Sequence, residues 1–170
     1  MKLFIGIAIC LCFFGLEARV FTTPEEVLKE AFPEATIDKK RIYLSSEDVE
    51  IFKKKLNFKI KHRFYSFYIA KKNQEIQGYG ILHTDTVRTK EMSLMILLNK
   101  DKELSKFYLI SFYEPLEYKP NDRWMNLWLQ KPKEKLVLGI DVPVISGATL
   151  TSRTVSQFVE LTRELVKYLN

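Results

Sequence analysis

The sequence predicts an α+β fold: a twisted antiparallel sheet with two N-terminal helices and a C-terminal helix packed on it. Three observations carry this. Apolar residues recur at helical spacing before residue 58 and again after residue 155, the stretch 58–112 alternates instead, and polar turn residues punctuate that stretch. Helices, then a block of neighbouring strands, then a closing helix is the element order of an α+β chain. A chain of 170 residues, 46% hydrophobic and 28% charged, suits one domain with a packed core rather than disorder.

Residues 1–18 stand apart from that domain. Lys2 precedes an apolar run over 3–16, and Leu16-Glu17-Ala18 ends in a small residue suited to signal peptidase, so a signal peptide over 1–18 and a mature chain starting at Arg19 are expected. The run is short for a membrane span; a retained N-terminal anchor with the domain outside is the alternative. Both readings carry the domain, 19–170, across the cytoplasmic membrane, with the periplasm as its expected compartment. Cys10 and Cys12 are the only cysteines and both lie in the apolar run. Cleavage would leave none, which excludes disulfides, thiolate catalysis and Cys-ligated metal or c-type haem from the mature domain.

The first helix is announced by Thr23-Pro24-Glu25-Glu26, which supplies a cap, a proline for the first turn and a glutamate at the capping-box position. Its buried stripe is Val27, Leu28, Ala31 and Phe32, and Pro33 ends it. A short strand is expected over 41–44, after which Ser45 or Ser46 caps a second helix with an apolar face of Val49, Phe52 and Leu56. Strands are expected over 61–70, 75–83, 92–98 and 106–112, joined by polar turns at 71–74 and 99–102. The polar insertion 84–90 reads as a long hairpin loop.

Several function classes find no residues to carry them. His62 and His83 lack a second ligand at metal spacing and read as strand residues. Trp124 and Trp128, one helical turn apart, read as core, with flavin contact by one of them as the minority view. Lys53-Lys54-Lys55 reads as a solvated helix face, and without an aromatic stacking platform no nucleic-acid role follows. No Ser-His-Asp set, paired carboxylates or dinucleotide fingerprint stands out.

The stretch that stands out is Ser146-Gly147-Ala148-Thr149-Leu150-Thr151-Ser152, directly before the helix whose stripe starts at Val155. Taken locally, Thr151 or Ser152 caps that helix, and small and hydroxyl residues need do no more. The same stretch also offers unpaired amides, the positive end of the macrodipole and close approach at Gly147 and Ala148, which suit a phosphate. It is not a nucleotide-binding P-loop, having neither the Gly-x-x-x-x-Gly frame nor the following lysine.

Ser-Gly-Ala-Thr-Leu-Thr resembles the flavinylation motif of the FMN-binding domain family, to which the C subunit of sodium-pumping NADH:quinone reductase and the G subunit of Rnf complexes belong. The resemblance implies a phosphoester between FMN and Thr151, installed by a separate flavin transferase, with Ser146, Gly147, Ala148, Thr149 and Leu150 around it. Where the family often carries an acid before the motif, this chain has Pro143, and the nearest acid is Asp141. Gly78-Tyr79-Gly80, the strands after it and Glu114-Pro115 before a tryptophan match the family's element order, so Glu114 and its turn are expected to border the flavin.

The resemblance implies an extracytoplasmic electron-transfer flavoprotein, a redox subunit rather than a stand-alone enzyme. The alternative is a secreted non-redox binding or interaction module in which the motif is only a helix cap. The chain carries a formal net charge of +6, and residues 1–18 contribute one Lys and one Glu, so the mature domain keeps that balance. The expected partner is therefore an acidic redox protein, such as a cytochrome or a membrane reductase subunit, with association at an acidic membrane surface as the rival reading.

Overall fold

The computed structural model describes residues 19–130 and 135–169; the expected signal peptide lies outside them. Among the described residues no helix is long and apolar enough to cross a membrane.

Six strands form one antiparallel sheet. They are β1 (Arg19–Val20), β2 (Thr36–Tyr43), β3 (Phe64–Lys72), β4 (Glu75–Thr86), β5 (Glu91–Asn99) and β6 (Leu104–Phe112), in the order β1-β6-β5-β4-β3-β2. From β2 to β6 each strand pairs antiparallel with its successor; from β3 onward the connections are too short for any other return, whereas β2 and β3 are joined through residues 44–63. Asn73 and Gln74, at φ 52° and 67°, make the two-residue turn between β3 and β4, the backbone hand that fits strand twist.

Among the described residues four α-helices accompany the sheet: α1 (Pro24–Ala31), α2 (Ser46–Leu56), the single turn α3 (Asp122–Met125) and α4 (Thr149–Leu165). Both early helices start as their residues dictate. Thr23 and Glu26 close a capping box on α1, and Ser45 and Asp48 close another on α2.

The sheet is covered on both faces. One core joins Phe52 and Leu56 of α2 and Val155, Phe158, Val159 and Leu165 of α4 to Phe67, Ile81, Leu94 and Ile96. On the other face Val27 and Leu28 of α1 pack on Met95, Leu97 and Ile110. The two N-terminal helices thus lie on opposite sides of the sheet. The double cover also explains why Leu94, Met95, Ile96, Leu97 and Leu98 are all buried in succession, with no polar alternation. Gly78 and Gly80 are the close-approach points of α1. A Cβ at Gly78 would lie 2.6 Å from Leu98 O and 2.6 Å from a Phe32 ring carbon, and one at Gly80 would lie 2.7 Å from the Met95 methyl.

Three expectations need correction. The strand expected at 41–44 spans Thr36–Tyr43, an edge strand exposed along nearly its whole length, so its charged residues hide it from pattern reading. Thr84, Asp85 and Thr86, read as loop, belong to β4 and pair with Ser93, Met92 and Glu91. They are polar because the pairing of β3 with β4 stops at Ile81, leaving this end of β4 uncovered on one side. The strand β1 was not expected at all; two residues pair with β6, followed by a bond from Phe21 N to Ile110 O at 2.9 Å.

Candidate functional site

Helix α4 begins earlier than its hydroxyls suggest. Its N-cap is Ala148, with no side-chain capping bond, so neither Thr151 nor Ser152 is the cap; both lie within the helix. The chain enters through Gly147 at φ 77° and a turn in which Ala148 N bonds Ile145 O at 3.0 Å. Ser152 works backwards instead. Its hydroxyl donates to Ala148 O at 3.1 Å and accepts from Ile145 N at 3.0 Å, stapling the incoming loop to the helix.

Hydroxyls further along the helix are also satisfied: Thr154 donates to Leu150 O at 3.0 Å and Thr162 to Phe158 O at 2.8 Å. Thr151 differs. It is 1% exposed, and its Oγ1 is buried with no hydrogen-bond partner. Leaving a buried hydroxyl unpaired costs about 1–3 kcal/mol, so the fold gains nothing from this oxygen.

Thr151 helps to line a cleft of about 370 Å³ with Gly147, Ala148, Thr149, Leu150, Arg88 and Tyr118. Of the motif residues expected at the site, these five are together, while Ser146 is exposed just before them. The first-turn amides of Thr149, Leu150 and Thr151 precede the first helical bond, from Ser152 N to Ala148 O, and leave the positive pole of the helix at the cleft. Across it the Arg88 guanidinium lies 5.1 Å from the centroid of the Tyr118 ring. Tyr118 is delivered by a single 3-10 turn, Leu116–Tyr118, which follows Glu114-Pro115.

Glu114, expected to border a flavin, does not line this cleft. It is 6% exposed, and its Oε1 accepts from the amides of Thr89, Lys90 and Arg88 at 2.7, 2.9 and 3.1 Å. Burial alone would raise its pKa; the three amides and the Arg88 charge outweigh that and hold the carboxyl below its ordinary value. With Val87 N bonded to Lys90 O at 3.0 Å, the turn 87–90 is a built structure with a carboxylate at its centre.

The remaining expected residues have structural work. Trp124 and Trp128 are buried with rings edge to face at 6.2 Å, and Trp124 Nε1 donates to Pro143 O at 2.6 Å, anchoring the approach to the motif. Asp141 is exposed and closes its own turn by accepting from Val137 N at 2.8 Å. His83 is buried against Thr162, and His62 is exposed ahead of β3. Among the described residues no group of three or more His, Cys, Asp or Glu is placed to hold a metal.

Arg88 and Tyr118 are the cleft residues that sequence reasoning missed. Neither has a local signal, since both become neighbours of residue 147 only through the sheet. A wider cleft of about 660 Å³ lies beside the C-terminal half of α4, but there Glu164 already pairs with Lys55 at 2.7 Å and with Lys167 at 2.8 Å. Comparison with protein-family models, with curated proteins and with solved structures finds no match to this chain. The chemistry of the smaller cleft is accordingly read from its own residues. Helix-start amides, a guanidinium, an aromatic ring and an unemployed hydroxyl suit a phosphate monoester carried on a planar group.

Proposed function

We propose that this protein is an extracytoplasmic electron-transfer flavoprotein that carries FMN covalently, through a phosphoester to Thr151. The observation that carries the reading is the Thr151 hydroxyl: buried, without a partner, and set in the first turn of α4 at a cleft with a cation opposite. The alternative is a secreted non-redox binding or interaction module; its premise that the stretch serves only as a helix cap is not met, because no hydroxyl of the stretch caps α4.

FMN would supply one- and two-electron redox chemistry. Thr151 would contribute its oxygen with the Cβ–Oγ1 bond retained, the new P–O bond replacing the P–O–P anhydride bond of a flavin dinucleotide donor, whose mononucleotide half would leave with the hydroxyl proton. The first-turn amides would hold the remaining phosphodiester charge, the macrodipole alone contributing about 0.3–1 kcal/mol. Gly147 and Ala148 keep the approach open; a Cβ at Gly147 would meet no atom within 4 Å, so its requirement is the positive φ. The charge of +6 suits a transient complex with an acidic redox partner, slowed as salt screens the attraction.

The test is co-production with a flavin transferase, followed by in-gel fluorescence of denatured protein and mass spectrometry of the peptide ending at Arg153. The expected result is an FMN adduct on Thr151 in the native chain and none in Thr151→Val. An adduct persisting on that peptide in the variant would overturn the assignment.

A further inference from the structure

The turn 87–90 is organised around one buried carboxylate, and its Arg88 side chain lines the cleft without forming an ion pair with that carboxylate, although its charge is near enough to lower the Glu114 pKa. Glu114 spends one oxygen on the three amides of the turn. Among the described residues Arg88 makes no ion pair; its guanidinium lies against the Tyr118 ring, and both residues line the cleft with Gly147 to Thr151. A guanidinium held over an aromatic ring and not paired with a carboxylate keeps N–H donors free for a bidentate anion.

We infer that Arg88 is the residue that binds the phosphate at the start of α4, and that Glu114 is a positioning residue that sets Arg88 there by clamping the turn. The inference rests on the reading of the cleft as a phosphate site. It extends that reading to a second strand connection and gives Glu114 a part that direct contact with a cofactor does not require. The ligand class is a phosphate monoester, bound on one side by the amides of Thr149, Leu150 and Thr151 and on the other by the Arg88 fork. Tyr118 supports the fork from beneath and offers its ring edge to the group that the phosphate carries.

The arrangement makes Arg88 and Glu114 different in kind. Replacing Arg88 removes the ligand's counter-ion and leaves the turn intact, because the amides that Glu114 holds are backbone. Replacing Glu114 leaves the counter-ion present but releases the turn that aims it.

The experiment uses the unmodified full-length chain, made without a flavin transferase and titrated with inorganic phosphate while amide and guanidinium resonances are followed. Phosphate is expected to shift the amides of Thr149, Leu150 and Thr151 together with the Arg88 Nε–H signal. Arg88→Gln should weaken phosphate at least fivefold with no change in unfolding midpoint, and Arg88→Lys should retain part of the affinity. Glu114→Gln should weaken phosphate under conditions where the variant is fully folded, an effect that a purely structural role would not produce. Unchanged phosphate affinity in Arg88→Gln, or phosphate shifts that miss the first turn of α4, would overturn the inference. Because free phosphate needs no transferase, the two readings fail separately. A chain flavinylated at Thr151 whose phosphate affinity ignores Arg88→Gln sinks this inference alone. A chain that binds phosphate through Arg88 but never carries flavin on Thr151 sinks covalent attachment and leaves the Arg88 site standing.

Discussion

His83 Nε2 lies 2.7 Å from Thr162 Oγ1, a buried bond that joins the middle of the sheet to α4. The donor can be assigned. Thr162 has one hydroxyl proton and gives it to Phe158 O at 2.8 Å, so His83 donates from Nε2 and is neutral with a bare Nδ1. Its ring stacks on Phe158 at 4.9 Å and 14°, in a setting with no place for an imidazolium.

The first prediction concerns acid. Burial, with a smaller push from His62, lowers the His83 pKa from 6.5 to about 3. The unfolded chain therefore takes up a proton that the folded chain refuses. Stability is complete above about pH 6.5 and falls by about 1.4 kcal/mol per pH unit below it, until the folded value is reached. Urea unfolding at pH 7 and pH 5 should differ by about 2 kcal/mol from this group. His83→Phe should lose that difference; an equally steep acid limb in the variant would assign the effect elsewhere.

Two threonines of α4 should respond in opposite directions to the same substitution. Thr151→Val removes an unpaired buried hydroxyl and should stabilise the unmodified protein by about 1 kcal/mol. Thr162→Val deprives His83 of its acceptor and should destabilise by about 1–3 kcal/mol. Chemical denaturation of both variants checks the contrast. A destabilised Thr151→Val would mean that its hydroxyl has a partner in solution.

Glu114→Ala should cost about 1–3 kcal/mol and abolish hydrogen-exchange protection at Arg88, Thr89 and Lys90 while β5 keeps its own. The folded carboxyl titrates below its ordinary value of 4.5. Its contribution is therefore present above that pH and lost as pH falls through the lower folded value. Comparing wild type with Glu114→Gln between pH 6 and pH 3 should show the difference between them shrinking with acid.

The paired glycines of β4 should not be equally replaceable. At Gly78 a methyl would meet the Leu98 carbonyl, a backbone atom held in the sheet, as well as the Phe32 ring, whereas at Gly80 the nearest atom is the end of the flexible Met95 side chain. Gly78→Ala is expected to destabilise by about 1–3 kcal/mol and Gly80→Ala by less. Thermal or urea unfolding ranks them, and the reverse order would contradict the packing of α1.

Much of this architecture was legible where local chemistry decides structure. Thr23 and Glu26, Ser45, and the polar pair Asn73 and Gln74 act on their own neighbours, and their elements stand close to where the residues put them. Legibility failed where a partner distant in sequence decides. The strand β2 is held by β3 despite Asp38, Lys39, Lys40 and Arg41, and β1 exists only because β6 offers an edge. At the site, the stretch 146–152 was visible, but its cap was misassigned because Ser152 bonds backwards to Ala148 and Ile145. Arg88 was hidden in a turn that reads as ordinary polar loop.

The packing of α1 also sets an order of events during synthesis. Its capping box favours the helix locally, but eight residues are too few to hold a helix alone, and the core residues that cover Val27 and Leu28, namely Met95, Leu97 and Ile110, belong to β5 and β6. Until the chain has been made as far as Ile110, that apolar stripe lacks its full cover. While its strands are still being made, the nascent protein therefore carries an apolar segment without its full cover, a feature that a chaperone can grip.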